Sequence, residues 1–184
     1  RFNLVASLFD EERCQAIESS EPDANPFLDS QIVCVSLDYL TGSHQRYAQV
    51  LDAEWDLLIV DEAHHLEWTP ELASTAYQMV EGLAEKIPSV LLLTATPQQL
   101  GPEGHFARLR LLDPARYNNL DTFIEESDHY QEMAELVDRI EGQEEFSGTD
   151  WEMIKKSSSH LHEQYSGKKS LSSADRAKLT ENII

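Results

Sequence analysis

Two short apolar runs, Leu57-Leu58-Ile59-Val60 and Val90-Leu91-Leu92-Leu93, show no alternation of polar and apolar residues. Strands of that kind are ordinarily covered on both faces, as in a parallel sheet lying between helices. The residues between them carry a helix signature. Thr69 is placed to cap it, Pro70 suits the first helical position, and Glu71 is a favourable acid in the first turn. Leu72, Ala76, Val80, Leu83 and Ile87 then fall on one stripe, and Pro88 ends it. Strand, helix and parallel strand make the βαβ unit, which commits the chain to the α/β class.

Two earlier runs, Phe2–Phe9 and Gln31–Leu37, read as further strands beside Trp55–Val60 and Ser89–Thr94. Cys34 lies inside the second and reads as a small core residue. With only Cys14 beside it, the spacing gives neither a zinc site nor a disulfide framework. After Pro114 the character changes. Asp121–Gly142 reads as an amphipathic helix with Phe123, Ile124, Tyr130, Met133, Val137 and Ile140 available for packing. A polar stretch from Gln143 to Asp150 follows, and then a helix over Trp151–Tyr165. Ser172-Ser173-Ala174-Asp175 fits a capping box that opens a last helix. The expected organisation is therefore an α/β domain over 1–117 and a mainly helical extension over 118–184.

The length of 184 residues suits one domain with an appendage, and a hydrophobic share of 41% is ordinary for a globular chain. The apolar runs are too short to span a membrane. No basic-then-apolar leader opens the chain, so secretion is not expected. The start at Arg1 rather than Met suggests a segment of something longer. A formal net charge of −20, spread along the chain, argues against a broad nucleic-acid surface. It leaves a solvated acidic exterior or a surface for a basic partner.

The strongest chemical signal is Trp55-Asp-Leu-Leu-Ile-Val-Asp-Glu-Ala-His64. Asp61 and Glu62 follow directly after an apolar strand, and open α/β sheets bind ligands at the carboxyl ends of their strands. There the two acids can divide the work. Asp61 can hold a Mg²⁺-bound water, because Mg²⁺ takes few protein oxygens and keeps most of its hydration. Glu62 can orient and deprotonate a water that attacks a γ-phosphate. An isolated Asp-Glu pair is more often a solvated strand end, but the apolar strand and the following Ala-His make that reading a poor fit here.

This string resembles the DEAH form of the Walker B box of helicase superfamily two. Val90-Leu-Leu-Leu-Thr-Ala-Thr-Pro97 is similar to that family's coupling motif. Finer likeness points to the Swi/Snf-like branch, and within it to bacterial ATPases that act with RNA polymerase. It rests on Ala53–Leu66, Val90–Leu100, His105–Pro114 and Ile32-Val-Cys-Val-Ser-Leu-Asp-Tyr-Leu40, and covers about residues 1–130. The resemblance implies part of the first RecA-like lobe, with ATP and Mg²⁺ as cofactors and DNA or RNA as the track. It also implies RNA polymerase as a partner and a bacterial, cytoplasmic, nucleoid-associated location. It gives His64 a role between nucleotide site and coupling motif, assigns coupling to Thr94, Ala95 and Thr96, and places a nucleic-acid backbone contact at Ser36. Thr94-Ala95-Thr96 stands where eukaryotic remodellers commonly have Thr-Gly-Thr.

Two elements of such a motor are missing. No Gly-x-x-x-x-Gly-Lys-Ser/Thr occurs in the sequence, so no loop of this kind can cradle phosphates. The arginine-finger motif of the second lobe is also absent. The chain is therefore expected to be inactive alone.

Rival chemistries fare worse. His64-His65-Leu66-Glu67-Trp68 nearly matches a His-x-x-Glu-His zinc helix, but Trp68 stands in the second histidine position. His65 reads as a packed or capping residue, and His160 and His162 as solvated. No Gly-x-Ser-x-Gly elbow supports a serine hydrolase. Two function classes stay open at this point. One is a nucleic-acid-dependent ATPase motor; the other is a non-catalytic acidic module that docks RNA polymerase.

Overall fold

The computed structural model describes residues 4–95, 101–142, 145–166 and 171–183. The chain divides into two compact units, Arg1–Leu120 and Asp121–Ile184.

The first unit is α/β. Strands β1 (Ser7–Phe9) and β2 (Val33–Val35) pair in parallel, with helix α1 (Glu11–Ser20) between them in sequence. Asp10 caps α1 by accepting from the Arg13 amide at 2.9 Å. Helices α2 (Leu37–Thr41) and α3 (His44–Asp52) follow, capped by Ser36 and Ser43. Strand β3 (Leu58–Val60), helix α4 (Thr75–Lys86) and strand β4 (Val90–Leu92) form the expected βαβ unit, with β3 parallel to β4. Helix α5 (Gly101–Leu112) closes the unit. Each strand lies where the sequence placed it, although each is only a three-residue core of the run.

The helices pack on one face of these strands. Phe9, Val33, Val35 and Leu58 join a core with Cys14, Phe27, Leu40, Met79 and Leu83. Val60 and Leu92 join a second, built on Ala63, Leu66, Tyr77, Val80, Ala107 and Leu111. Side chains alternate across a strand, so the middle residues point the other way. Leu8 is 70% exposed, Ile59 54% and Leu91 44%, and Cys34 is exposed too. This corrects two expectations: among the described residues of this unit the strands are covered on one face, and Cys14 rather than Cys34 is the core cysteine. A run without alternation reports that both faces can be buried, not which residues cover them.

A third correction concerns α4. It starts at Thr75 with Ser74 as its cap, Ser74 Oγ accepting from the Tyr77 amide at 3.1 Å. Thr69–Leu72 is instead a tight turn closed by Thr69 N–H to Leu72 O at 2.8 Å and Leu72 N–H to Thr69 O at 3.2 Å. The turn is flanked by an antiparallel bridge between Trp68 and Ala73. Pro70 presets the turn rather than a helix. Leu72, expected on the apolar stripe, is 74% exposed, and the stripe instead gains Tyr77 and Met79.

The second unit is helical. Helices α6 (Leu120–Glu141), α7 (Gly148–Ser157), α8 (Ser159–Tyr165) and α9 (Ser173–Ile183) surround Leu136, Ile140, Ile154, Leu161, Tyr165 and Leu179. The helix expected over 151–165 is two helices. Ser158 leaves helical geometry at φ −155° and caps α8. Tyr130, expected to pack, is 73% exposed on α6. The capping box before α9 is present, with Ser172 Oγ accepting from the Asp175 amide at 3.2 Å and Asp175 Oδ2 accepting from Ser172 N–H at 3.3 Å. Among the described residues no helix is long and apolar enough to cross a membrane.

Candidate functional site

Asp61 and Glu62 leave the carboxyl end of β3 directly, and both are exposed. The chain then turns sharply through a 3₁₀ turn over Ala63–His65. Glu62 has φ 53° and ψ 42°, in the left-handed region, and is the one non-glycine residue with positive φ among those described. That conformation is costly for a residue with a β-carbon and persists only where the surroundings impose it. Here they do so from both sides. Asp61 Oδ1 accepts from the Glu62 amide at 3.0 Å. On the other side Ala63 is fully buried, Leu66 is 2% exposed, and Ala63 N–H donates to Leu93 O at 2.9 Å.

The same backbone bond carries the strand pairing past β3 and β4 and brings Leu93 and Thr94 alongside the turn. Leu93 N–H donates to Val60 O at 2.8 Å. His64 is the meeting point. Its Nδ1 lies 3.0 Å from Glu62 Oε2 and 3.5 Å from Thr94 Oγ1. The structure thus brings Glu62, His64 and Thr94 together. Asp61 adjoins them through the Glu62 amide. Ala95 is exposed at the end of the strand segment, and Thr96 lies outside the described residues.

His65 is exposed rather than packed or capping, its ring stacked at a tilt 4.0 Å from that of His64. Trp68 belongs to an aromatic cluster, with ring centroids 6.3 Å from Tyr77 and 5.6 Å from Phe106, which suits core packing rather than metal binding. His162 is half-buried edge-on to Trp151 at 6.1 Å, and so is less solvated than expected, while His160 is exposed.

Ser36 stands apart from this constellation. Its hydroxyl caps α2, accepting from the Tyr39 amide at 3.1 Å, and the residue remains exposed. A cavity of about 270 Å³ lined by Val50, Trp55, Leu83 and Ile87 lies by the entry to β3, away from Asp61. The carboxylate pair therefore stands on open surface.

The donor chemistry fits Mg²⁺ held with a polyphosphate. Asp61 is a hard oxygen ligand, and of its two oxygens only Oδ1 is engaged in a hydrogen bond. Among the described residues no three His, Cys, Asp or Glu side chains converge as a metal cage. A cation here would rely on one carboxylate, water and phosphate oxygens, which is the usual Mg²⁺ arrangement.

Sequence reasoning missed what holds the turn. The left-handed Glu62 has no glycine to announce it, and Ala63 gives no signal beyond being small. Tyr77, fully buried with its hydroxyl donating to Ala107 O at 2.9 Å, braces the same core. Burial raises the Tyr77 phenol to about 12, so it stays a protonated donor.

A short strand is followed by paired acids, and a histidine just beyond them lies against the hydroxyl at the end of the neighbouring parallel strand. The model of the SNF2-related domain matches residues 10–166, and the chain belongs to that family. It is similar to RNA polymerase-associated protein RapA of Photobacterium profundum, 59% identical over 140 residues. RapA of Vibrio atlanticus is 59% identical over 137 residues, and that of Vibrio cholerae serotype O1 is 54% identical over 147. These matches cover 74 to 80% of this chain but only 14 to 15% of the relatives' length.

Proposed function

We propose that this chain carries the metal-binding and water-activating carboxylates of a nucleic-acid-dependent ATPase of the Swi/Snf-like type, acting with RNA polymerase in transcription. The observation that supports this best is the contact set Glu62–His64–Thr94, which ties a general-base candidate to the neighbouring strand. Residues 1–117 are read as the later half of a first RecA-like lobe, and 118–184 as a helical extension toward a second.

When bound, Mg²⁺-ATP supplies the transferable phosphoryl group and neutralises its developing charge. Asp61 would hold the metal, accepting a hydrogen bond from one of its bound waters. Glu62 accepts a proton from the attacking water and orients it. Thr94, Ala95 and Thr96 pass nucleotide state toward the interlobe cleft, with His64 as the intermediate. Ser36 contributes a hydroxyl near a nucleic-acid backbone from the start of α2. With no phosphate loop in the sequence, this chain alone is inactive, and turnover belongs to the longer protein. The relatives are named for association with RNA polymerase, which supports that partner; DNA or RNA as the track and a bacterial, cytoplasmic, nucleoid-associated location belong to the same proposal.

A rival use as an acidic docking module has the net charge of −20 in its favour. Steady-state ATP turnover separates the two. The longer protein should hydrolyse Mg²⁺-ATP faster when nucleic acid is added, while the 184-residue chain stays at background. Binding of RNA polymerase without any ATP turnover by the longer protein would select the docking module.

A further inference from the structure

The ends of α3 and α4 leave a cavity of about 270 Å³ just before β3 begins. Its walls are apolar. Val50, Ala53, Leu83 and Ile87 are buried, and Trp55 is half-buried beside them. Asp52, Glu54 and Lys86 also line it and are exposed, so the cavity opens to solvent. Asp61 lies past the far end of β3, so an occupant here leaves the carboxylate pair free.

The walls are held by bonds of their own. Trp55 Nε1–H donates to Val50 O at 2.8 Å, Ala53 N–H to Gln49 O at 3.2 Å, and Ile87 N–H to Leu83 O at 2.9 Å. A lining already fixed in this way costs an incoming group little reorganisation. Size then selects the class of occupant. Pockets for cofactors and other small ligands run to roughly 300–1,000 Å³. This one lies below that range and suits a single large side chain, the kind of anchor on which protein–protein interfaces depend.

The rim supplies a sign. Asp52 and Glu54 stand at the C-terminal end of α3, where the helix dipole is negative. Neither makes an ion pair among the described residues. Lys86 is the one base among the lining residues, and its Nζ donates to Leu51 O at 3.4 Å. The two carboxylates are therefore left for a cation from outside.

We propose that this cavity is a socket for a protein partner, taking one large aliphatic side chain from a segment whose neighbouring lysines or arginines meet Asp52 and Glu54. The socket is independent of the roles given to Asp61 and Glu62.

The test measures Kd by fluorescence anisotropy, with the longer protein and a labelled peptide that carries one leucine between two pairs of lysines. Two further peptides replace the leucine by alanine, or all the lysines by glutamate. The leucine–lysine peptide should bind saturably, and the alanine version about tenfold more weakly or worse, as for an anchor that loses three carbons. Asp52→Lys with Glu54→Lys should weaken the leucine–lysine peptide by about tenfold and tighten the glutamate peptide. Glu67→Lys with Glu71→Lys, an exposed acidic pair beyond the carboxyl end of β3, should change either by no more than about twofold. Melting curves identify a variant that fails to fold; Asp52→Asn with Glu54→Gln then takes its place and should weaken the leucine–lysine peptide alone. Equal weakening by the two reversed pairs, or equal affinity for the leucine and alanine peptides, would mean attraction to an acidic surface and overturn the socket. Absence of saturable binding up to about 1 mM would overturn it as well, and is the result expected if another part of the longer protein fills the cavity.

Discussion

The two units handle apolar surface and buried charge in opposite ways. The first leaves Leu8, Cys34, Ile59 and Leu91 uncovered on one face of its strands and holds a strained turn at Glu62. The second closes six buried residues within its own four helices and signs two of its helix starts with capping boxes at Ser147/Asp150 and Ser172/Asp175. Their arginine clusters are inverted as well. In the first unit Arg46 is buried, at 4% side-chain exposure, and donates to Glu11 and Glu18, which are more exposed. In the second, Asp150 is buried at 2% and its partner Arg139 is 31% exposed. Burial alone would raise the Asp150 carboxyl, but the Ser147 amide and hydroxyl with Arg139 outweigh it and leave it lowered. The helical unit follows from local rules; the α/β unit carries uncovered surface, and strain at the proposed site.

The largest effects should come from the cores. Tyr77→Ala removes a fully buried ring and its bond to Ala107 O, and should cost about 3–5 kcal/mol. Ile154→Ala should cost about 2–5 kcal/mol. Denaturant unfolding gives the totals, and hydrogen exchange should place the first loss in α4 and α5 and the second in α7 and its neighbours. Protection lost evenly along the chain in both variants would erase the contrast between units.

Acid should single out the first unit's cluster. Hydrogen bonds from Arg46, then Tyr39 and Gln15, hold the Glu11 carboxyl at about 2, against the ordinary 4.5. A lowered value in the folded state means that the ionised form stabilises the fold above the ordinary range. That contribution is lost as pH falls from about 4.5 toward 2. Stability measured across this window should decline less steeply in Glu11→Gln. An identical slope would mean that the cluster contributes nothing linked to protons.

The smallest effect belongs to the uncovered face. Cys34→Ser should change stability by less than about 0.5 kcal/mol, as for an exposed position. In the native chain Cys34 should react with a maleimide quickly, and buried Cys14 only on unfolding. Fast labelling of both cysteines, or of neither, would break the one-faced description.

Much of the site was legible because its signals are local. An apolar strand ending in Asp61-Glu62, a helix, and a second strand ending in Thr94 can be read residue by residue, as can the Ser172–Asp175 box. The start of α4 was not, because Thr69-Pro70 and Ser74 offer two competing caps. Packing of Trp68 on Tyr77 and Phe106 accompanies the later one. The open strand face was illegible for a different reason. Among the described residues its apolar side chains stay exposed, and no pattern in a strand says where a cover comes from. The left-handed Glu62 depends on burial of Ala63 and Leu66, a tertiary fact with no local mark.

The division of labour between Asp61 and Glu62 is the centre of the account, and one paired measurement reaches it. In the longer protein, ATP binding and single-turnover hydrolysis are compared for wild type, Glu62→Gln and Asp61→Asn. Glu62→Gln keeps the shape but cannot take a proton, so binding should persist while hydrolysis falls by on the order of 10²-fold or more. Asp61→Asn should instead weaken Mg²⁺-dependent ATP binding itself. Hydrolysis by Glu62→Gln at the wild-type rate would contradict the assignment of Glu62 as the base that activates water.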